Sequence, residues 1–339
     1  MNISRRSLGL GALGASAAGL APRRATAAES PELRISSLEG FGFLPLFIAL
    51  DRRLIETHAA TLGLVDLRIE HTPLRSAVIS TDALLAGQLD VIAGTTTSLL
   101  VLWDKTNGDV RSVSALGGQV LTLVTRNPGV HSIVDFGPTD RIAVPSVRQG
   151  PHSLVIGLAL DQALGPGSYG KLDAIQVQSG HADAVTMLLN PTHEVNSHFS
   201  TLPYVDIELK SESPKIHPVL TSSEVFGGPA TTISAYAMRR FVDANPIKTA
   251  ALVAALDEAN DIIAQDRMSA AASYLNVTHE RFAQEALAEL LTREGVLYSG
   301  VPTRTMLIAA QMARTGLIRR APANWREFHY PFLHDRLGS

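Results

Sequence analysis

Short apolar runs alternate with amphipathic segments along most of the chain, which predicts alternating strands and helices. Residues 33–36 and 89–93 are typical of buried strands, and the Gly/Phe-rich loop at 39–43 leads into a helix that starts near Pro45. The hydroxyl-rich segment 95–98 precedes the apolar run 99–103, a pattern that predicts a capped helix start. We therefore expect a mostly parallel sheet with helices on both faces.

A second set of alternating elements begins after Gly117 and Gly118. Strands are expected at 120–124, 142–144, 174–177 and 194–199, with helices at 150–164 and 181–189.

Beyond about Pro246 the pattern turns helical, with Asn245 expected to cap the helix that Pro246 opens. Two apolar stripes at helical spacing predict core-facing surfaces. Their members are Leu252, Leu256, Ala259 and Ile263 in the first, and Met306, Ala310, Ala313 and Leu317 in the second.

Composition narrows the class of protein. The 339 residues are 45% hydrophobic, with a mean hydropathy of +0.13, which is typical of a globular chain large enough for two lobes. A net charge of -3 argues against a nucleic-acid partner, because binding phosphates by bulk electrostatics needs a basic surface. The absence of cysteine excludes thiol nucleophiles, disulfides and thiolate metal sites.

Residues 1–27 have the three parts of a bacterial export signal. Arg5 and Arg6 form a charged start, 8–21 is a mild apolar run, and 25–27 is a small-x-small cleavage site. The arginine pair resembles a twin-arginine signal, and an ordinary Sec signal is the alternative. The segment carries four Arg and no acidic residue, so cleavage near Ala27 would leave a soluble periplasmic protein with a net charge of -7.

Common catalytic and metal-binding motifs are missing from the sequence, including GxSxG, the Walker loop, GxGxxG and HExxH. His193 and His198 lie five residues apart on an expected strand, so they should point to opposite faces. We expect neither a cofactor nor a metal site.

Polar residues do follow the expected strands, at the sheet edge where α/β proteins bind ligands. Thr95, Thr96 and Thr97 lie there in the first half, and Arg148, Gln149 and His152 lie there in the second. Each set puts donors beside a helix start, which suits an anionic group. Helix capping and plain surface exposure are the alternatives for the threonines and for Arg148.

Several segments, in this order along the chain, resemble the substrate-binding proteins of the nitrate/sulfonate/taurine class of ABC transporters, which are related to the thiamine-pyrimidine precursor binding proteins. The resemblance covers about residues 33–330. The segments are ALLAGQLDV (83–91), IAVP (142–145), YGKLD (169–173), GHADA (180–184), NSHFS (196–200) and GGPAT (227–231).

The chain departs from the class where its pocket is built. The proline usual after the third strand's glycine is absent from the segment GTTT (94–97), and Ala182 and Leu202 replace two further prolines. The ligand therefore cannot be inherited from better-known members. The cysteine-rich motif of the superfamily's pyrimidine synthases is also absent, which argues against their enzymatic chemistry.

The resemblance implies two Rossmann-like α/β lobes joined by two crossing strands, near 117–125 and 217–232, with a helical C-terminal tail. Lobe one would be 28–117 plus 230–339, and lobe two would be 118–229. A ligand in the cleft would close the lobes by hinge motion. The partners would be an ABC permease and ATPase in the inner membrane, and we expect a monomer that is not an enzyme.

Further candidate ligand-binding residues come from the loops beside these elements. Aromatic side chains could enclose the ligand body, and histidines could donate to its head group or accept from an amine. The candidates are the aromatic residue Phe43, the aromatic residue Phe199, the histidines His181 and His198, and the loop residue Gly228, with Phe41 and Tyr204 nearby.

Glu39 leaves the ligand class open. A carboxylate in the cleft would favour an aminopyrimidine-like heterocycle, whereas the other donors favour a small organic sulfonate or carboxylate, which we prefer. A periplasmic enzyme on the same fold, using His181 or His198 with Asp183 or Glu39, is a further alternative.

Overall fold

The computed structural model of the protein describes residues 31–38, 40–73 and 77–339; the predicted export signal and Glu39 lie outside them. Strand formation follows the apolar runs. The strands are β1 (Glu32–Ser37), β2 (Arg68–Pro73), β3 (Val91–Thr95), β4 (Val110–Gly118), β5 (Thr122–Thr125), β6 (Ile142–Val144), β7 (Gln176–Gln178), β8 (Ser197–Ser200), β9 (His217–Thr221), β10 (Ile233–Met238) and β11 (Leu297–Tyr298).

Two mixed sheets contain these strands, in the orders β11-β4-β10-β3-β1-β2 and β7-β6-β8-β5-β9. Each sheet has a parallel group: β1 pairs with β2 and β3 in the first, and β6 pairs with β7 and β8 in the second. Antiparallel strands complete both sheets, since β10 runs against β3 and β4 while β5 runs against β8 and β9. The prediction of a mostly parallel sheet is therefore wrong.

Helices connect the parallel strands and form most of the C-terminal part, which confirms the predicted α/β class. Pro45, Pro151 and Pro246 each lie in a first helical turn, as expected for a residue with no N–H to satisfy. The helices are α1 (Leu44–Asp51), α2 (Leu54–Thr61), α3 (Ala77–Leu85), α4 (Thr96–Lys105), α5 (Pro151–Leu164), α6 (His181–Leu189), α7 (Tyr204–Leu209), α8 (Ser222–Phe226), α9 (Arg239–Ala244), α10 (Pro246–Gln265), α11 (Arg267–Thr278), α12 (Gln284–Leu290) and α13 (Thr305–Arg314).

The chain passes between the sheets at residues 119–121, after β4, and at 222–232, after β9. Gln119, in the first of these connections, bonds to a residue that follows β8 and to a residue of β11. Its side-chain oxygen accepts from the Thr201 hydroxyl at 2.7 Å, and its amide nitrogen donates to the Tyr298 hydroxyl at 3.3 Å. The Tyr298 hydroxyl donates to the Phe41 carbonyl at 2.7 Å. The lobe boundaries given above remain a prediction.

Both large hydrophobic cores contain residues from both sheets. Val124 and Leu202 belong to the same buried cluster as Ile35 of β1. The other cluster joins Phe199 of β8 to Trp103 of α4. The two sheets are therefore held together by buried apolar contacts as well as by the connecting segments.

The C-terminal predictions have mixed outcomes. The stripe on α10 is confirmed, because all four residues are buried. The second stripe is confirmed in part: Met306, Ala313 and Leu317 pack half-buried against the core, whereas Ala310 is exposed. The buried residues of α13 include Ile308, Ala309 and Met312. The Asn245 side chain donates to the Phe241 carbonyl at 2.9 Å and does not cap α10.

Among the residues that the structure describes, none of the helices is both long enough and apolar enough to cross a membrane.

Candidate functional site

Three histidines lie together at one edge of the second sheet. His152 is in the first turn of α5, His181 is the first residue of α6, and His198 is on β8. The His181 ring lies 5.2 Å from that of His152 and 5.1 Å from that of His198, between centroids. The sequence indicated all three residues, and the structure brings them together.

Parallel pairing explains this convergence. Because β6, β7 and β8 run in the same direction, the segments that follow them leave from the same edge. The chain after β6 carries His152, and the chain after β7 carries His181. Gly150 and Gly180 occupy the N-cap positions of α5 and α6, so each histidine falls within a first helical turn.

Hydrogen bonds join His181 to a buried acid through His198. Nδ1 of His181 lies 2.9 Å from Nε2 of His198, and Nδ1 of His198 lies 2.5 Å from Oε1 of Glu208. The side chains of His198 and Glu208 are both fully buried. Glu208 lies on α7, ten residues after His198, and was not predicted from the sequence.

Several buried polar atoms at this edge have no hydrogen-bond partner among the described residues. They include both ring nitrogens of His152, Oε2 of Glu208 and the Ser200 hydroxyl on β8. His152 is only 6% exposed, so water cannot easily satisfy its nitrogens. Buried polar groups without partners are costly, which makes this edge a candidate ligand-binding site.

Aromatic rings surround the histidines. The Tyr204 ring stacks on His181, with centroids 5.5 Å apart and an interplanar angle of 19°, and Phe199 meets His152 edge-on at 5.6 Å. Tyr204 also contacts Phe282 at 6.5 Å, which links the cluster to the C-terminal segment of the chain. The site therefore combines imidazole nitrogens with apolar ring surfaces.

Burial keeps two of the histidines neutral at physiological pH. Burial, together with repulsion from His198, lowers the pKa of His152 to about 3. Burial, followed by repulsion from His152 and His198, holds the pKa of His181 well below its usual value. Each of these two rings consequently carries one N–H donor and one acceptor nitrogen.

The three threonines at the end of β3 are hydrogen-bonded within the protein. Thr95 caps α4 by accepting from the Ser98 N–H at 3.2 Å, and its hydroxyl lies 2.9 Å from that of Thr97. The Thr96 hydroxyl is buried and donates to the Thr231 carbonyl at 3.0 Å. These bonds give all three a structural role; a part in ligand binding stays a prediction.

Arg148 and Gln149 are exposed. The Arg148 side chain is 69% exposed and its Nε donates to Asp173 at 3.0 Å. Its φ of 67° lies in the left-handed region. Arg148 therefore has an acidic partner of its own, and its predicted role as a ligand donor would require that pair to separate.

The remaining predicted site residues lie away from the histidines or outside the described chain. Phe43 is buried in the core shared with Phe47. Gly228 has a φ of 135°, which lies in the left-handed region, so the backbone geometry there favours glycine. Nothing is described for Glu39.

Other features of the described residues do not add to this site. No group of three His, Asp or Glu side chains within the described chain is arranged to hold a metal ion. A cavity of about 420 Å³ lies elsewhere, lined by Trp103, Arg111, Arg320 and Arg326 among others.

No sequence profile of a known family matches this chain. No curated protein matches it in sequence either. Solved structures do match its fold. The alkanesulfonate-binding protein SsuA from Xanthomonas axonopodis pv. citri, bound to MOPS, is similar with a TM-score of 0.67 and 14% identity, over 87% of this chain and 96% of that one.

Two further solved structures agree. The periplasmic aliphatic sulphonate binding protein SsuA from Escherichia coli has a TM-score of 0.67 and 15% identity, over 89% of this chain and 92% of that one. The periplasmic nitrate-binding protein NrtA from Synechocystis PCC 6803 has a TM-score of 0.64 and 16% identity, over 88% and 84%. The chain thus has the fold of periplasmic binding proteins, as the sequence resemblance implied.

The first prediction compares two buried histidines that differ in hydrogen bonding. We expect His152→Leu to leave the free energy of unfolding unchanged or to raise it by about 1 kcal/mol, because it removes two unsatisfied nitrogens. His198→Leu should lower it by about 3–5 kcal/mol, since Glu208 would be left buried without its partner. Urea unfolding at pH 7 measures both. Equal destabilisation by the two substitutions would contradict the assignment of His152 as unpartnered.

The second prediction concerns pH. The pKa of His152 is about 3 and that of buried His329 is about 4, both below the unfolded value of about 6.5. As the pH falls below 6.5, the unfolded chain takes up protons that the folded chain does not. Stability should therefore decrease by about 1.4 kcal/mol per pH unit for each such group.

His152→Leu should remove one group's share of this slope between pH 6 and pH 4. His131→Leu, at an exposed position, is the matched control for replacing a histidine by leucine. The measurement is the free energy of unfolding of each variant between pH 6 and pH 4. A slope in His152→Leu equal to that of the wild-type protein would show that His152 is not held neutral.

Proposed function

We propose that this chain is the solute-binding component of an ABC importer and captures a small organic anion, a sulfonate or a carboxylate. The observation that carries the proposal is His152, a buried imidazole with two unpartnered nitrogens beside His181 at the carboxyl edge of parallel strands. Sulfonate-binding and nitrate-binding proteins with the same fold support it.

The polarity of the site suits a ligand with an oxygen-rich head and an apolar body. Imidazole N–H groups can donate to sulfonate or carboxylate oxygens, and a charge-assisted hydrogen bond is stronger than a neutral one. The ring of Tyr204, which stacks on His181, can border the apolar part of the ligand, while the fully buried Phe199 packs against His152. Donors on neutral side chains avoid the desolvation cost of burying a second charge.

A ligand screen tests the proposal. The probes are ethanesulfonate, MOPS, acetate, nitrate and 4-amino-2-methylpyrimidine. Among them, we expect a sulfonate or a carboxylate to raise the melting temperature of the full chain. A ligand at 100 times its dissociation constant adds about 2.7 kcal/mol of stability. For the anion found, His152→Leu should weaken binding in calorimetry by about 1.5–3 kcal/mol, the contribution of one hydrogen bond to a charged group.

Two controls sharpen that experiment. Arg148→Ala tests whether Arg148 contributes to the site. If the histidines alone bind the anion, the substitution leaves the affinity unchanged; if Arg148 also contacts the anion when the lobes close, the affinity falls. Small-angle scattering should show a smaller radius of gyration with ligand if the lobes close. Stabilisation by the aminopyrimidine alone would contradict the anion and favour the heterocycle.

Export is the second part of the proposal. We propose that residues 1–27 are an export signal cleaved near Ala27, through the twin-arginine or the Sec route, and that the protein acts in the periplasm with a separate permease and ATPase. The supporting observations are the charged start, the short apolar run and the small-x-small site.

N-terminal sequencing of the protein from a periplasmic fraction tests export. We expect the sequence to begin at or near Ala28. Replacing Arg5 and Arg6 by lysine should abolish export if the twin-arginine route is used and leave it intact if Sec is used. Periplasmic protein that still begins at Met1 would refute cleavage.

A further inference from the structure

Glu208, His198 and His181 form a continuous hydrogen-bonded chain, and its last atom, Nε2 of His181, makes no hydrogen bond among the described residues. We propose that the buried Glu208–His198 pair retains one proton and thereby holds His181 with its hydrogen on Nε2, so that His181 is a hydrogen-bond donor to the ligand. The inference rests on the proposed function and deepens it, because it selects an anionic acceptor over an amine.

The first step is the burial of the pair. Both side chains are fully inaccessible, and Oε2 of Glu208 has no partner among the described residues. The basic side chains nearby in sequence and space, Lys210 and Arg293, are paired with Asp206 and not with Glu208. An ionised Glu208 beside a neutral His198 would be a buried charge without a counter-charge, so retention of a proton by the pair is strongly favoured.

The second step follows where that proton goes. If it lies on His198, the ring is an imidazolium and both nitrogens carry hydrogen. If it lies on Glu208, the carboxylic acid donates to Nδ1 of His198, and the ring's own hydrogen is on Nε2. In both cases Nε2 of His198 carries a hydrogen and donates across 2.9 Å to Nδ1 of His181.

The third step fixes His181. Its Nδ1 accepts a hydrogen bond, so in the neutral ring the hydrogen must be on Nε2. Among the described residues Nε2 of His181 makes no hydrogen bond, and the ring is held between Tyr204 of α7 and His152 of α5. Loss of the shared proton would reverse the hydrogen bond between His198 and His181 and make Nε2 of His181 an acceptor.

The consequence is a discrimination by ligand chemistry. An outward N–H matches the lone pairs of a sulfonate or carboxylate oxygen, whereas it would meet an amino group donor to donor. Glu208 touches no ligand in this scheme; it is a positioning residue that acts through His198. The burial that lowers the pKa of His181 is consistent with a neutral ring.

Nuclear magnetic resonance of the full chain with ¹⁵N-labelled histidine tests the inference without a ligand. Long-range ¹H–¹⁵N correlations at pH 7 distinguish protonated from unprotonated ring nitrogens, and His181→Gln assigns the His181 signals. We expect Nε2 of His181 to be protonated and Nδ1 to be unprotonated. Hydrogen on Nδ1 of His181 would overturn the inference.

Two variants check that the state of His181 is imposed through His198. His198→Phe should leave His181 as a mixture of both neutral forms, whereas His131→Phe, at an exposed position, should leave it unchanged. An unaltered His181 signal in folded His198→Phe would also overturn the inference. If no sulfonate or carboxylate binds, the proposed function is wrong. The position of the hydrogen on His181 in the wild-type protein is measured without a ligand, so that result does not depend on the outcome of the ligand screen.

Discussion

Parallel pairing in the second sheet is the constraint on which the site depends. Because β6, β7 and β8 share a direction, the residues that follow them leave from one edge, and the loops carrying His152 and His181 meet beside His198. On the other side of β8, the antiparallel strand β5 lies between β8 and β9. The edge of the second sheet is therefore built from segments distant in sequence, none of which forms a site alone.

Local pattern predicted most of this architecture and failed where burial hides the pattern. Runs such as 142–144 are apolar and bounded by turns, and they form strands as expected. β4 was missed because its Ser112 and Ser114 are buried, so the polar positions do not mark a solvent face. The second C-terminal stripe was right only in part, because Ala310 is exposed and packing buries Ile308 and Met312 more deeply than the stripe itself.

The sequence singled out the three histidines but not the bonds that connect them. His152 and His181 could be found because they follow strands, whereas Glu208 is one acidic residue on a short helix with no spacing signal of its own. Only the fold shows that it reaches His198. For the same reason the sequence could not show that Arg148 is paired with Asp173.

The two connections between the sheets differ in length: residues 119–121 are three residues, and residues 222–232 are eleven. Gln119 lies in the shorter connection, where its side chain bonds to Thr201, which follows β8, and to Tyr298 of β11. A single amide side chain therefore adds a cross-link at the point where the backbone itself passes from one sheet to the other.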